Sequence, residues 1–172
     1  MKRLVTSRLI IRPTQEKDLD AIHEILSDKD TMRFFVEGTY SKEKVKEILN
    51  RNTKEVHHYT VMLKGSYRVI GKLSFHKWFM KDTYEIGWIF SKTSTNNGYC
   101  TEAAKAMIDF GFNERNAHRI IATCQPENIA SKRVCEKLGL RLEGHFKQCI
   151  HYQNDIWWDE LFYAKLNSEQ KK

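Results

Sequence analysis

Long apolar runs are missing from this sequence. No stretch approaches the ~20 residues that a bilayer-spanning helix needs, and the start MKRLVTSRLIIRP alternates charge with Leu and Ile where a secretory signal would carry an apolar block. No membrane association is expected, and a soluble, cytoplasmic chain is. Proline is nearly absent: Pro13 and Pro126 are the only two, and with no low-complexity tract and no internal repeat the chain offers no linker. Cysteine is sparse as well. Cys100, Cys124, Cys135 and Cys149 lie 24, 11 and 14 residues apart with no CxxC pair, which argues against a disulfide framework and for free thiols. Despite a net charge of +7 there is no compact Lys/Arg block, which argues against a nucleic-acid arm while leaving open a phosphate-bearing ligand.

What is present suffices for one core. The 172 residues fit a single domain, expected over 1–167 with a charged tail at 168–172, and 41% hydrophobic residues exclude wholesale disorder. Residues 2–12 read as a strand, and Pro13-Thr14 then opens a helix whose Leu19, Ile22, Ile25 and Leu26 share a face. Ser41 is placed to cap a second helix carrying Val45, Ile48 and Leu49. HHYTVMLK and VIGKLSFHKW read as strands joined at a Gly-Ser turn, followed by the strand YEIGWIF. The polar stretch SKTSTNN leads into a helix in which Ala103, Ala106, Met107 and Phe110 recur at helical spacing. HRIIATC is again a strand, and PENIASKRVCEKLG a helix with Asn128, Ala130, Val134 and Leu138 in phase, closed by Gly139. Two strands end the chain before a frayed SEQKK. The order β-α-α-β-β-β-α-β-α-β-β gives an α/β class with a central, partly parallel sheet and helices on both faces.

The strand YEIGWIF running through SKTSTNNGYCTEA into a helix is the most informative segment. A helix start offers unpaired N–H groups and positive dipole to an anion, although an ordinary strand-loop-helix connection has the same spacing.

TSRLIIRPTQEKDLDAIHEILSDKDTMRFF resembles the opening of the RimJ/RimL-type branch of the GNAT N-acetyltransferase superfamily. YEIGW, NNGYCTEAAKAMIDFGF, HRIIATCQPENIASKRVCEKLGL and LEGHFK resemble its later motifs in order, covering nearly the whole chain. The resemblance implies a GNAT-like mixed, mostly antiparallel sheet of about seven strands, whose fourth and fifth strands part in the middle to admit pantetheine. It implies acetyl-CoA as donor with no metal, and pyrophosphate bound at the start of the third long helix, by the backbone of Asn96, Asn97, Gly98, Tyr99, Cys100 and Thr101. The family's Q/R-x-x-G-x-G/A pattern falls on Thr93 to Gly98, so Gly98 is kept, Asn96 replaces the first glycine and Thr93 the basic or amide residue. Asn tolerates left-handed backbone angles, so Asn96 can still make the turn. Thr101 and Glu102 suit the helix dipole.

By the same resemblance Asn128 hydrogen-bonds pantetheine and Ser131 places its hydroxyl near the thioester sulfur. Asn128 is equally placed to N-cap its helix, and the two roles are compatible. Many members carry a Tyr seven residues after that Asn to protonate the leaving thiolate. Cys135 stands there in this chain, which leaves Ser131 as the acid. An ammonium has no lone pair, so acetylation needs a proton acceptor. Glu85 is the candidate base, acting through water, and a main-chain N–H near Ile89, freed where the strands part, would polarise the thioester carbonyl. A strand carboxylate that is merely ion-paired is the plain alternative for Glu85.

Cys124 lies four residues before Asn128, as a Cys does in some ribosomal-protein acetylating relatives, and reads as a buried strand cysteine. The carboxylate such relatives carry after LEG falls on Ile150. His76, His145, Cys149 and His151 match no zinc spacing, although His76 is a reserve base. Trp157, Trp158 and Phe162 read as sheet packing, with base stacking as a lesser alternative. Glu24, Asp28, Asp30 and Glu37 are assigned no role. The acceptor is expected to be a protein N-terminus, ribosomal proteins included, or a small amine, and the chain a monomer or homodimer. The rival reading is a non-catalytic acyl-CoA-binding module whose phosphate loop has drifted at Thr93 and Asn96.

Overall fold

The structure, a computed structural model, describes residues 3–52 and 56–170. Among them are eight strands and five helices: β1 Leu4–Val5, β2 Leu9–Pro13, α1 Leu19–Leu26, α2 Lys29–Met32, α3 Lys42–Asn52, β3 His58–Leu63, β4 Val69–Lys77, β5 Thr83–Phe90, α4 Tyr99–Glu114, β6 Arg119–Cys124, α5 Ile129–Lys137, β7 Arg141–His151 and β8 Trp157–Leu166. The strands are hydrogen-bonded in the order β1-β2-β3-β4-β5-β6-β8-β7. The pair β5–β6 is parallel, whereas β1–β2, β2–β3, β3–β4, β6–β8 and β7–β8 are antiparallel. This is the expected mixed sheet with one strand more than the seven anticipated.

The extra strand comes from the first apolar run, which breaks at Thr6. Its hydroxyl accepts from Leu9 N at 2.9 Å and its own N–H donates to Leu9 O at 3.0 Å, folding the chain back so that Leu4 faces Ile11. Lys2, where that run was expected to begin, lies outside the described residues. The first helix also starts later than expected. Pro13 is still in β2, paired with Tyr59, and a 3-10 turn at Glu16–Asp18 precedes α1. α2, a single turn, was not anticipated: Asp28 caps it by accepting from Thr31 N at 2.7 Å.

The chain divides into two compact units. One comprises 1–76 and 88–107. Its helical cluster buries Ile22, Leu26, Met32, Val45 and Leu49, with Val69 and Ile89 of the strands packed against them. Arg12 grips Asp18 through two 2.7 Å bonds, and Thr60 and Gln15 N add 3.0 and 2.9 Å bonds. Burial alone would raise the Asp18 carboxyl, but these donors hold it below its usual value. Asn52 ends α3 by bonding Thr14 O, His58 O and the N–H groups of His57 and His58, which sets the entry into β3.

The other unit comprises 77–87 and 108–172. β6 is flanked by β8 from Arg119↔Leu166 to Cys124↔Leu161. Its register with β5 covers only Thr83↔Arg119, Tyr84↔Ile120 and Glu85↔Ile121, and among the described residues pairing stops there, although β6 runs on to Cys124. These are the fourth and fifth strands of the sequence reading. Gly139, at φ +70°, follows α5 as expected, with Leu140 N bonded to Cys135 O at 3.0 Å. The tail is not frayed as far as Gln170: Leu166 N donates to Glu169 at 2.8 Å and Gln170 to Asp109 at 3.0 Å. Residues 171 and 172 lie outside the described residues.

Candidate active site

In the first unit, the segment after β5 makes a 3-10 turn at Lys92–Ser94 and reaches α4 through two left-handed residues, Asn96 at φ +62° and Gly98 at φ +75°. Asn96 thus adopts the backbone for which its side chain suits it. Thr95 Oγ1 donates to Lys92 O at 2.8 Å and Asn97 Nδ2 to Thr95 O at 2.9 Å, so the loop carries its own bracing. Glu102 N donates to Gly98 O at 3.0 Å, the first bond of the helix, and the N–H groups before it have no intrahelical acceptor. Asn96, Asn97 and Gly98 are exposed, and Tyr99, Cys100 and Thr101 half-buried. Burial pushes the Cys100 thiol up, so it stays protonated. Two left-handed residues flanking an exposed Asn before a sixteen-residue helix make a cradle that fits a pyrophosphate.

Side chains outside the loop complete it. Glu102 Oε1 accepts from Thr6 Oγ1 at 2.6 Å, Ser7 Oγ at 3.0 Å and Arg8 N at 3.0 Å, while Arg8 Nε donates to Oε2 at 2.6 Å. Burial opposes ionisation of Glu102, but these donors prevail and bring its carboxyl down to about 2. Glu102 therefore does more than suit the helix dipole. Ile89 directs its side chain into the helical cluster, and Ser91 N donates to Ile70 O of β4 at 2.9 Å. Strand alternation then turns the neighbouring Phe90 N–H to the edge away from β4.

In the second unit, Glu85 is half-buried at the last paired position of β5. Glu160 on β8 was missed by the sequence reading. It too is half-buried, and burial and the Glu85 charge raise its carboxyl, against a lowering hydrogen bond from Thr123. Thr123 pairs with Phe162 and Glu160 with Phe146, so the pleat puts Glu85, Thr123, Glu160 and Phe162 on one face. Trp78 and Phe146 pack against Phe162 with ring centroids at 5.5 and 6.0 Å. Asn128 caps α5, its Oδ1 accepting from Ser131 N at 3.2 Å, which places Ser131 in the first helical turn.

Cys124 is buried, and the Cys135 thiol hydrogen-bonded to it lowers its pKa. Tyr163 of β8, paired with Ala122, is buried beside the two thiols; burial first, then their charges, raise its hydroxyl.

Among the described residues no group of three or more His, Cys, Asp or Glu is placed to hold a metal ion. His145 bonds Asp159 at 2.8 Å, His151 lies against Trp157 at 5.0 Å, and His76 lies 5.7 Å from the His57 ring. Trp158 stacks on Tyr152. Asp28 is spent on its helix cap and Asp30 on Lys92. No helix of the described residues is long and apolar enough to cross a membrane.

The sheet's parallel pair, β5–β6, stops short, and β5 leads on into an exposed, glycine-containing loop at the start of α4. Residues 8–141 match the Acetyltransferase (GNAT) domain, and the chain belongs to that family. It is 46% identical over 167 residues to the uncharacterized N-acetyltransferase YnaD of Bacillus subtilis, covering 96% of this chain and 98% of that one. A GNAT-family acetyltransferase from Bacillus anthracis has 46% identity, a TM-score of 0.93 and coverage of 97% and 99%. The fold is shared, at 20% identity and TM-score 0.85, with spermidine N-acetyltransferase from Vibrio cholerae solved in complex with CoA and spermine, covering 97% of this chain and 100% of that one. The protein is an acetyl-CoA-dependent N-acetyltransferase.

Proposed function

We propose that the chain acetylates a primary amine by direct attack within a ternary complex, in the manner of the RimJ/RimL-type branch. The backbone of Asn96, Asn97, Gly98, Tyr99, Cys100 and Thr101 holds the pyrophosphate of acetyl-CoA. Asn128 hydrogen-bonds the pantetheine arm. The acceptor nitrogen loses its proton to Glu85 through a water and forms a bond to the thioester carbon. A main-chain N–H beside Ile89, that of Phe90, meets the developing oxyanion. The C–S bond then breaks, and Ser131 donates a hydrogen bond to the departing thiolate. No acyl-enzyme is needed. Four free cysteines accord with a reducing, cytoplasmic location.

The observation that carries this reading is Glu85 at the point where β5–β6 pairing stops, with a second carboxylate, Glu160, on the same face. A protein N-terminus and a small amine both present an ammonium to that pair. Glu160 on the same face as Glu85 favours a small cationic amine, because two carboxylates repel one another until a cation arrives. Thiol release from acetyl-CoA, measured with ribosomal-protein N-terminal peptides, diamines and matched monoamines, tests the acceptor. Glu85→Gln is expected to lower kcat by about 10²-fold and flatten the acidic limb of the pH profile, where a carboxylate base is put out of action by protonation. An unchanged rate and profile would sink the base role.

A further inference from the structure

Thr93 stands where relatives place a basic or amide residue, and its hydroxyl is engaged with Ser91 Oγ at 3.0 Å. The cation at this loop comes from the opposite end of the first unit's sequence. Arg8, on the turn between β1 and β2, donates from Nη1 to Asn97 O at 3.0 Å and contacts Glu102 Oε2 through Nε and Nη2, each at 2.6 Å. Its guanidinium lies 4.6 Å over the Tyr99 ring. Arg8 therefore brackets the segment from Asn97 to Glu102 at both ends.

The consequence for the loop is geometric. A peptide unit is planar with its C=O and N–H pointing in opposite directions, so holding Asn97 O toward Arg8 turns the Gly98 N–H the other way. Gly98 at φ +75° then starts the helix, with its own carbonyl taken by Glu102 N. The consequence for charge is compensation. An ionised carboxylate in the first turn of α4 opposes an incoming phosphate, and the Arg8 fork together with Thr6 and Ser7 takes up the lone pairs of Glu102.

We propose that Arg8 is a positioning residue for cofactor binding: by pinning the Asn97 carbonyl and neutralising Glu102 it presents the Gly98 N–H and the first turn of α4 to the CoA pyrophosphate, in place of the basic residue missing at Thr93. This rests on the reading of residues 96–101 as the pyrophosphate loop.

The test is a calorimetric titration of CoA into the wild-type protein, Arg8→Gln, Arg8→Lys and Arg51→Gln, the last removing one exposed charge from α3. Thermal melts identify the folded variants. Arg8→Gln is expected to raise Kd about tenfold, with the loss persisting at ~0.5 M salt, where a diffuse charge effect would fade. Arg8→Lys, which keeps the charge but not the fork, should fall between, and Arg51→Gln should match the wild type. With S-acetylpantetheine as donor, which lacks the pyrophosphate, kcat/KM should be the same for wild type and Arg8→Gln. Unchanged CoA affinity in folded Arg8→Gln, or in Arg8→Lys if the glutamine variant does not fold, overturns the role of Arg8 and leaves the loop reading intact. An equal loss with S-acetylpantetheine also overturns it, since Arg8 would then be general scaffolding. Absence of CoA binding by the wild type overturns both.

Discussion

Asn128 accepts a hydrogen bond from the main-chain N–H of Ser131 at 3.2 Å, so one side chain starts α5 and holds Ser131 in its first turn. An aspartate keeps the acceptor needed for the cap but loses the amide donor. Asn128→Asp should therefore melt with the wild type while its KM for acetyl-CoA rises several-fold. Asn128→Ala should lose about 1 kcal/mol of stability as well. Melting curves and KM measured on both variants separate the two duties, and a common melting loss would show that the cap is not preserved by Asp.

Glu102 makes stability depend on acid. Its folded-state carboxyl at about 2 lies below the ordinary 4.5, so its stabilisation is complete above about pH 4.5 and drains away as pH falls toward 2. Arg8 is half-exposed, and solvent screening puts the contribution at about 1–2 kcal/mol. Glu102→Gln should be less stable than wild type at pH 7, and the gap should close between pH 4.5 and 2. A gap that stays constant with pH would contradict the ionised latch.

Gly71 on β4 has no room for a side chain. A methyl there would come within 2.7 Å of the Phe90 ring and 2.9 Å of Ile89 O, and the second of these is backbone. Gly71→Ala is expected to cost about 1–3 kcal/mol, as overpacking does, and to slow turnover by moving the strand segment that carries Phe90 N–H. Denaturant melts and kcat measure the two effects.

The thiols differ in exposure. Cys149 is exposed, Cys100 half-buried with its thiol pushed up, and Cys124 and Cys135 buried. One thiol should react quickly with Ellman's reagent in the native protein and all four after unfolding. Cys149→Ser should abolish the fast phase. Three fast thiols would mean that the Cys124–Cys135 pair opens to solvent.

Periodicity made most of the fold legible. The switch between two-residue and 3.6-residue spacing located every long element, and local chemistry located some boundaries, as where Ser41 Oγ accepts from Lys44 N at 3.3 Å at the start of α3. What escaped was either very short or very distant. α2 is one turn held by Asp28, too brief to show a period, and β1 became separate because Thr6 turns the chain. Within the site, Asn96 was legible because its left-handed backbone is a property of the residue itself. Glu160 and Thr123 were not, because the β6–β8 register brings them together, and neither were Arg8 and Glu102, a turn and a helix start that meet across 94 residues of sequence.

The tie between Arg8 and Glu102 spans 94 residues and therefore has a consequence for biosynthesis. At roughly 5–20 residues per second, the ribosome delivers the acceptor on the order of ten seconds after its donors. Until then the turn at Thr6–Arg8 has exposed cationic and hydroxyl groups with no carboxylate to receive them. The turn that joins the first two strands thus obtains its carboxylate partner only when the start of α4 has been made.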